Sequence, residues 1–289
     1  MGDVLGSLPP VDRPIGMFDS GFGGLTVARA VIDLLPAEDL VYVGDTGRYP
    51  YGPRPQDEVR VFARELAWSL VKDCDAKAII VACNTAAAAG LGELGDELPV
   101  PVLGVIEPGA RALVEATRSG RVGVIGTVGT ISSGAYQRAV DDTGAAVALT
   151  CAACPGFVEF VERGETEGEQ VTILAERLLA PVRGASVDTL LLGCTHYPYL
   201  ARVIADVMGP DVVLVSSADE TAFAVREELA SLGLLRPETP DGAAAIHRFL
   251  SSGDVSWFAE LGRRLLGPEL AQAQQWVPTV AFTADGAAT

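Results

Sequence analysis

The stretch that decides the reading is Leu190-Leu191-Leu192-Gly193-Cys194-Thr195-His196-Tyr197-Pro198. A short apolar run bounded by turn residues reads as a strand buried on both faces. It ends abruptly in a thiol, a hydroxyl and an imidazole, and the C-terminal ends of strands are where open α/β sheets bind ligands. A single Cys in such a place is more often a core residue, since free Cys is among the most buried residue types. A second copy argues otherwise. Ala78-Ile79-Ile80-Val81-Ala82-Cys83-Asn84-Thr85 follows the same plan: an apolar strand, then Cys, then small hydrogen-bonding residues.

Outward from these two strands the pattern is again duplicated. Ile15-Gly16-Met17-Phe18 reads as a strand, running into Asp19-Ser20-Gly21-Phe22-Gly23-Gly24 and a helix from Leu25 to about Leu35. Val122-Gly123-Val124-Ile125-Gly126-Thr127 matches Ile15 to Ser20 at an offset of 107 residues, and the two cysteines stand 111 apart. Two motif types recurring at nearly one offset indicate two similar α/β halves, each of domain size. The Gly-rich turn either brings backbone N–H groups to an anion at the helix start or is a tight turn capped by Asp19 or Ser20. It is not a dinucleotide fingerprint, because the sixth position from Gly21 is Thr26.

Between these landmarks, Leu40 to Val43 is a strand followed by a shaped loop, Gly44 to Pro53, whose aromatics can wall a pocket. Gln56 to about Asp73 has helical spacing, a helix opens at Ala86 to Ala89, and Pro99 to Ile106 reads as a strand. In the second half, Val147 to Thr150 is a strand leading to Cys151-Ala152-Ala153-Cys154-Pro155. Phe157 to Arg163 supplies Glu159 and Glu162. Helices are expected at Thr172–Leu179 and Glu220–Leu232 and a strand at Val212–Val215, while Phe249 to Ser252, Gly253-Asp254 and the amphipathic Trp257 to Leu266 close the fold. The predicted fold is two similar three-layer α/β/α domains with mainly parallel sheets and an active site in the cleft between them. Residues 1–107 with 218–289 form the first, carrying Asp19 and Cys83. Residues 108–217 form the second, carrying Glu162, Cys194 and His196.

Composition bounds the function. With 289 residues, 49% apolar and 20% charged, the chain is globular. No apolar run approaches the length of a membrane span, and Met1 to Pro14 lacks the layout of a secretory signal. Five cysteines, two of them ending strands, suit reduced thiols, so a cytoplasmic location is expected. A formal charge of −17 argues against nucleic acid as the main partner. The lysines are Lys72 and Lys77, neither well placed for a Schiff base, and with only His196 and His247 a His-rich metal site is excluded by count. The last residues, Ala281 to Thr289, read as a frayed tail.

Two domains that each end a strand in a thiol can face those thiols across one cleft. Such a pair suits removal of a proton from one face of a carbon and delivery of a proton to the other. A helix N-terminus or a cation beside a thiol lowers its pKa, and both are on offer here. The same residues allow rivals. Cys151, Cys154, Cys194 and His196 could form a Cys₃His zinc site, Cys151 and Cys154 a redox pair, and Cys194 with His196 a hydrolase dyad. Cys74 and His247 read as structural or solvated residues.

Taken together, the motifs resemble the glutamate racemases of the cofactor-independent aspartate/glutamate racemase superfamily. The resemblance is carried by Asp19-Ser20-Gly21-Phe22-Gly23-Gly24, Tyr49-Pro50-Tyr51-Gly52, Cys83-Asn84-Thr85-Ala86, Val124-Ile125-Gly126-Thr127 with Thr130, Cys154-Pro155 through Glu162-Arg163-Gly164, and Gly193-Cys194-Thr195-His196-Tyr197-Pro198. It implies interconversion of L- and D-glutamate, supplying D-glutamate for peptidoglycan, without cofactor or metal. Cys83 and Cys194 match the acid/base thiols, the first working on the D-enantiomer and the second on the L-enantiomer. Asp19 and His196 match the assisting residues and Glu162 a supporting carboxylate. Ser20, Tyr51, Gly52, Asn84, Thr85, Thr127 and Thr195 fall where the family holds substrate. Glu159 stands where Pro is expected, so it and Glu162 remain alternatives for the supporting carboxylate. The resemblance leaves room for a homodimer. A sibling racemase or isomerase acting on aspartate, hydantoin or maleate is the runner-up, and a two-domain carboxylate-binding protein is the non-enzymatic alternative.

Overall fold

A computed structural model describes residues 10–237, 244–270, 272–279 and 282. The lead before Pro10 and, apart from Phe282, the stretch expected to fray at the C-terminus lie outside the described residues.

Two parallel sheets organise the chain. The first contains β1 (Ile15–Asp19), β2 (Leu40–Gly44), β3 (Ala78–Val81) and β4 (Val102–Gly104). The second contains β5 (Arg121–Gly126), β6 (Ala148–Ala153), β7 (Thr189–Gly193) and β8 (Val213–Ser216). The polypeptide then returns, adding β9 (His247–Ser251) and β10 (Gln274–Gln275) to the first sheet beside β2. The orders are β10-β9-β2-β1-β3-β4 and β6-β5-β7-β8. Stripped of the two returning strands, the orders are the same, which is the duplication seen in the sequence. Every residue of β1, β2, β3 and β7 is buried, as expected of strands covered by helices on both faces.

In the first half α1 (Leu25–Leu34), α2 (Gln56–Cys74) and α3 (Asn84–Glu97) follow β1, β2 and β3. Helix α4 (Ile106–Ala116) leads into the second half. There α5 (Val128–Ser132), α6 (Ala135–Asp142), α7 (Phe157–Glu162), α8 (Glu169–Leu178), α9 (Ala180–Gly184) and α10 (Ala201–Met208) occur. Helices α11 (Ser217–Ser231) and α12 (Val255–Leu266) flank β9. No helix among the described residues is long and apolar enough to cross a membrane.

Three expectations need correction. The predicted strand from Pro99 to Ile106 shrinks to Val102–Gly104, because Pro99 and Pro101 have no N–H for a ladder and Ile106 already begins α4. The strand ending at Thr150 instead runs on through Ala153, with Cys151 to Ala153 paired to Val124 to Gly126. Neither Asp19 nor Ser20 caps α1. Gly24 occupies the cap without a side-chain bond, and the Asp19 carboxylate accepts from Gly21 N–H at 2.9 Å.

Candidate functional site

Contacts between the halves bring the residues at the C-terminal ends of β1, β3, β5 and β7 together along one boundary. Asp19 closes β1, Cys83 lies two residues beyond β3, and Cys194 directly follows β7. Cys83 is also the N-cap residue of α3. The halves are stitched together here by short polar contacts. Thr195 Oγ1 donates to Asp19 Oδ1 (3.4 Å), and Thr85 Oγ1 lies 2.9 Å from Thr127 Oγ1. Asn84 Nδ2 donates to the Tyr136 hydroxyl (2.7 Å), and Gly129 N–H to the Gly52 carbonyl (2.9 Å).

The Gly-rich turn gains a reason that local reading did not supply. A Cβ on Gly23 would overlap Thr195 Oγ1 and His196 Nδ1, so the second half approaches the first to within contact of bare backbone.

The surroundings of the two thiols differ. Cys83 is buried and its Sγ donates to Ser20 Oγ at 3.7 Å. Burial, reinforced by the Asp19 carboxylate, pushes the Cys83 thiol up to about 12, against the opposing pull of N–H groups at the start of α3 and at Ser20. Proximity to a helix start was expected to lower this thiol; desolvation outweighs it. Cys194 is buried with its Sγ 4.0 Å from His196 Nδ1, and His196 Nε2 donates to Glu162 Oε1 at 3.2 Å. Burial alone would lower the imidazole, but hydrogen bonds to Cys194 and Glu162 and the charge of Asp19 overcome it and hold His196 up at about 10. These contacts favour the imidazolium form of His196.

Of the two candidate carboxylates, Glu162 makes the bond to His196. Glu159 lines a small cavity of about 70 Å³ between Gly52 and Pro53 on one side and Thr127 and Cys154 on the other. Tyr51 is fully buried, and its hydroxyl donates to Asp45 rather than to open space. Asp45 also accepts from Arg48 Nε (2.7 Å) and Ser252 Oγ (2.6 Å), so the loop after β2 is pinned to the end of β9. Sequence reading missed Asp45 and Tyr136. The Tyr49 ring stands 6.3 Å from the His196 ring, walling the pocket as loop aromatics were expected to do.

Of the rival constellations, Cys194 and His196 do meet, the Cys₃His zinc site is not assembled, and Cys151 and Cys154 are free thiols. Cys151 lies within β6, while the Cys154 carbonyl accepts from the Tyr197 hydroxyl under Phe157. Among the described residues no cluster of three or more His, Cys, Asp and Glu side chains is arranged to hold a metal. Lys77 is buried against Glu38 (2.6 Å), and Lys72 lies over the Trp68 ring, so both lysines are engaged away from the thiols.

A duplicated α/β scaffold with buried thiols at equivalent strand ends, one beside a histidine, is the outline of a racemase. Residues 20–225 match the Asp/Glu/hydantoin racemase family. A curated glutamate racemase of Parafrankia sp. (strain EAN1pec) is 54% identical over 257 residues, covering 89% of this chain and 92% of its own. The crystal structure of a glutamate racemase from Bacillus anthracis matches with a TM-score of 0.85 at 42% identity, over 91% of this chain and 96% of that one. Glutamate racemase from Francisella tularensis, solved in complex with D-glutamate, matches with a TM-score of 0.85 at 31% identity, over 93% and 99%. The chain belongs to the Asp/Glu/hydantoin racemase family. Within that family it is an amino-acid racemase.

Proposed function

We propose that the protein interconverts L- and D-glutamate by proton transfer between two cysteines, Cys83 and Cys194, with neither cofactor nor metal. The observation that carries this reading is the pair of thiols at equivalent strand ends of the duplicated scaffold, each buried and each with a different polar partner. One sulfur, as thiolate, takes the α-hydrogen as a proton. The other, as thiol, gives a proton to the opposite face. Atoms and charge balance, and the two sulfurs finish with their protonation states exchanged. Burial that holds the Cys83 thiol at about 12 makes it the proton donor, and Cys194, 4.0 Å from His196, takes the α-hydrogen. That is the arrangement for L to D if Cys194 serves the L-enantiomer. Asp19 and the His196–Glu162 pair assist the thiols. Ser20, Tyr51, Gly52, Asn84, Thr85, Thr127 and Thr195 surround the substrate.

In this reading the two sheets are the cores of domains 1–107 with 218–289 and 108–217, working as a cytoplasmic enzyme that supplies D-glutamate for peptidoglycan and cell shape. A homodimer is compatible with it. The relatives' glutamate names and the match to a D-glutamate complex support the substrate. The test uses single variants in heavy water. Either Cys83→Ala or Cys194→Ala should abolish racemisation. Cys194→Ala should still exchange the α-hydrogen of D-glutamate, and Cys83→Ala that of L-glutamate, each without inversion. A single variant that racemises at near wild-type speed, or two variants that exchange both enantiomers equally, overturns the assignment.

A further inference from the structure

Tyr136 touches the neighbours of both thiols. Fully buried on α6, it accepts a 2.7 Å hydrogen bond from Nδ2 of Asn84, the residue after Cys83. Its ring lies against Gly193, the residue before Cys194: a Cβ there would come within 2.9 Å of Tyr136 Cε2. The bond to Asn84 runs from the second half of the molecule to the first. Burial also drives the phenol above its ordinary range, so the hydroxyl stays neutral through the working pH range.

The other end of the Asn84 amide is open. Oδ1 is buried and has no hydrogen-bond partner. A buried amide oxygen left unpaired costs about 1–3 kcal/mol, so this acceptor calls for a donor. At neutral pH an α-amino acid with a carboxylate side chain carries one N–H donor group, its α-ammonium, and its carboxylates only accept.

We propose that Tyr136 is a positioning residue for recognition of the substrate's amino group: by holding Asn84 Nδ2 across the boundary between the halves, it presents Asn84 Oδ1 to the α-ammonium. This rests on the reading of the substrate as glutamate. Tyr136 does not touch the reacting atoms; it acts through Asn84.

The test compares ligands with and without the amino group. In Tyr136→Phe, which keeps the ring and its packing, KM should rise about tenfold for both enantiomers of glutamate, because both carry the ammonium. Turnover at saturation should fall less than threefold, and the inhibition constant of glutarate, which lacks the amino group, should stay within twofold. Asn84→Ala should show the same selectivity, and adding Tyr136→Phe to it should raise KM no further. A glutarate constant that rises in step with KM, no change in KM, or a further rise in the double variant overturns the inference. Thermal melts of each variant report on folding separately. If wild-type protein does not turn over glutamate, the functional reading fails and the inference goes with it. If wild-type protein is active but the variants are not selective, only the inference fails.

Discussion

The ends of β3 and β7 are equivalent places in a duplicated scaffold, yet they carry unlike chemistry. At the end of β3, Cys83 sits at a helix start among Asp19, Ser20 and apolar burial, and keeps its proton. At the end of β7, Cys194 sits beside His196, which is held by Glu162. Duplication supplies the two positions; side chains without a counterpart in the other half supply the difference. A proton-transfer cycle across one carbon needs a donor and an acceptor at the same moment. The difference between the halves is the feature that the proposed mechanism would use to set which sulfur gives a proton and which takes one in a given direction.

The largest effect should come from forcing the two ends apart. Gly23→Ala places a methyl group against Thr195 and His196, and kcat/KM should fall on the order of 100-fold while circular dichroism and Tm stay close to wild type. Gly92→Ala, which meets nothing within 4 Å, is the control and should be silent. Removing what distinguishes the β7 end comes next. Glu162→Gln loses a charge-assisted hydrogen bond to His196, worth about 1.5–3 kcal/mol, so turnover should fall roughly tenfold to a hundredfold. Glu159→Gln should change it less than twofold. Equal losses in both variants would mean that the geometry of α7 does not decide the supporting carboxylate.

The same difference should show in pH dependence. The folded-state pKa of His196, about 10, lies above its ordinary value of 6.5. Its contribution to stability is fully present below about pH 6.5 and is lost as pH rises through about 10. Denaturation of wild type against His196→Asn across this window should therefore give curves that converge toward pH 10, and kcat/KM should fall along the same limb. Curves that stay parallel would mean that His196 is not held as an imidazolium.

A smaller effect is expected from the returning C-terminal segment. Gln275 Nε2 donates to the carbonyls of Ser251 and Ser252, and Ser252 Oγ donates to Asp45, which accepts from the Tyr51 hydroxyl. Gln275→Ala should loosen this loop and raise KM several-fold with kcat little changed, as on the order of 1 kcal/mol of hydrogen bonding is lost. Deleting only the residues after Thr283 should leave both constants unchanged. Phe282, whose ring lies under the Arg64 guanidinium, is retained in that variant.

Local sequence specifies structure here where its signal is periodic or abrupt. Apolar runs ending in Cys83 and Cys194 announce strands and their ends. The recurrence near Ile15 and Val122 announces two halves whose strand orders turn out the same. Boundaries failed where chemistry interrupts the period, as at Pro99 and Pro101, or where strand pairing extends a run that looks finished, as at Cys151 to Ala153. The choice between Glu159 and Glu162 was out of reach for a different reason. Residues three apart share one side of a helix, so spacing left Glu159 open as an alternative to Glu162 until the approach of β7 brought His196 to Glu162.

The amino-acid sequence by itself determined the strands, their repetition, the two thiols and the turns that follow them. Each of those depends on residues close together in the chain. Only the tertiary structure decided that Gly23 must yield space to His196, that Asn84 meets Tyr136, that Asp45 anchors Tyr51 to the end of β9, and that the two cysteines stand in opposite electrostatic company. Desolvation and charge proximity depend on which distant segments share a few ångströms, and no local period records that.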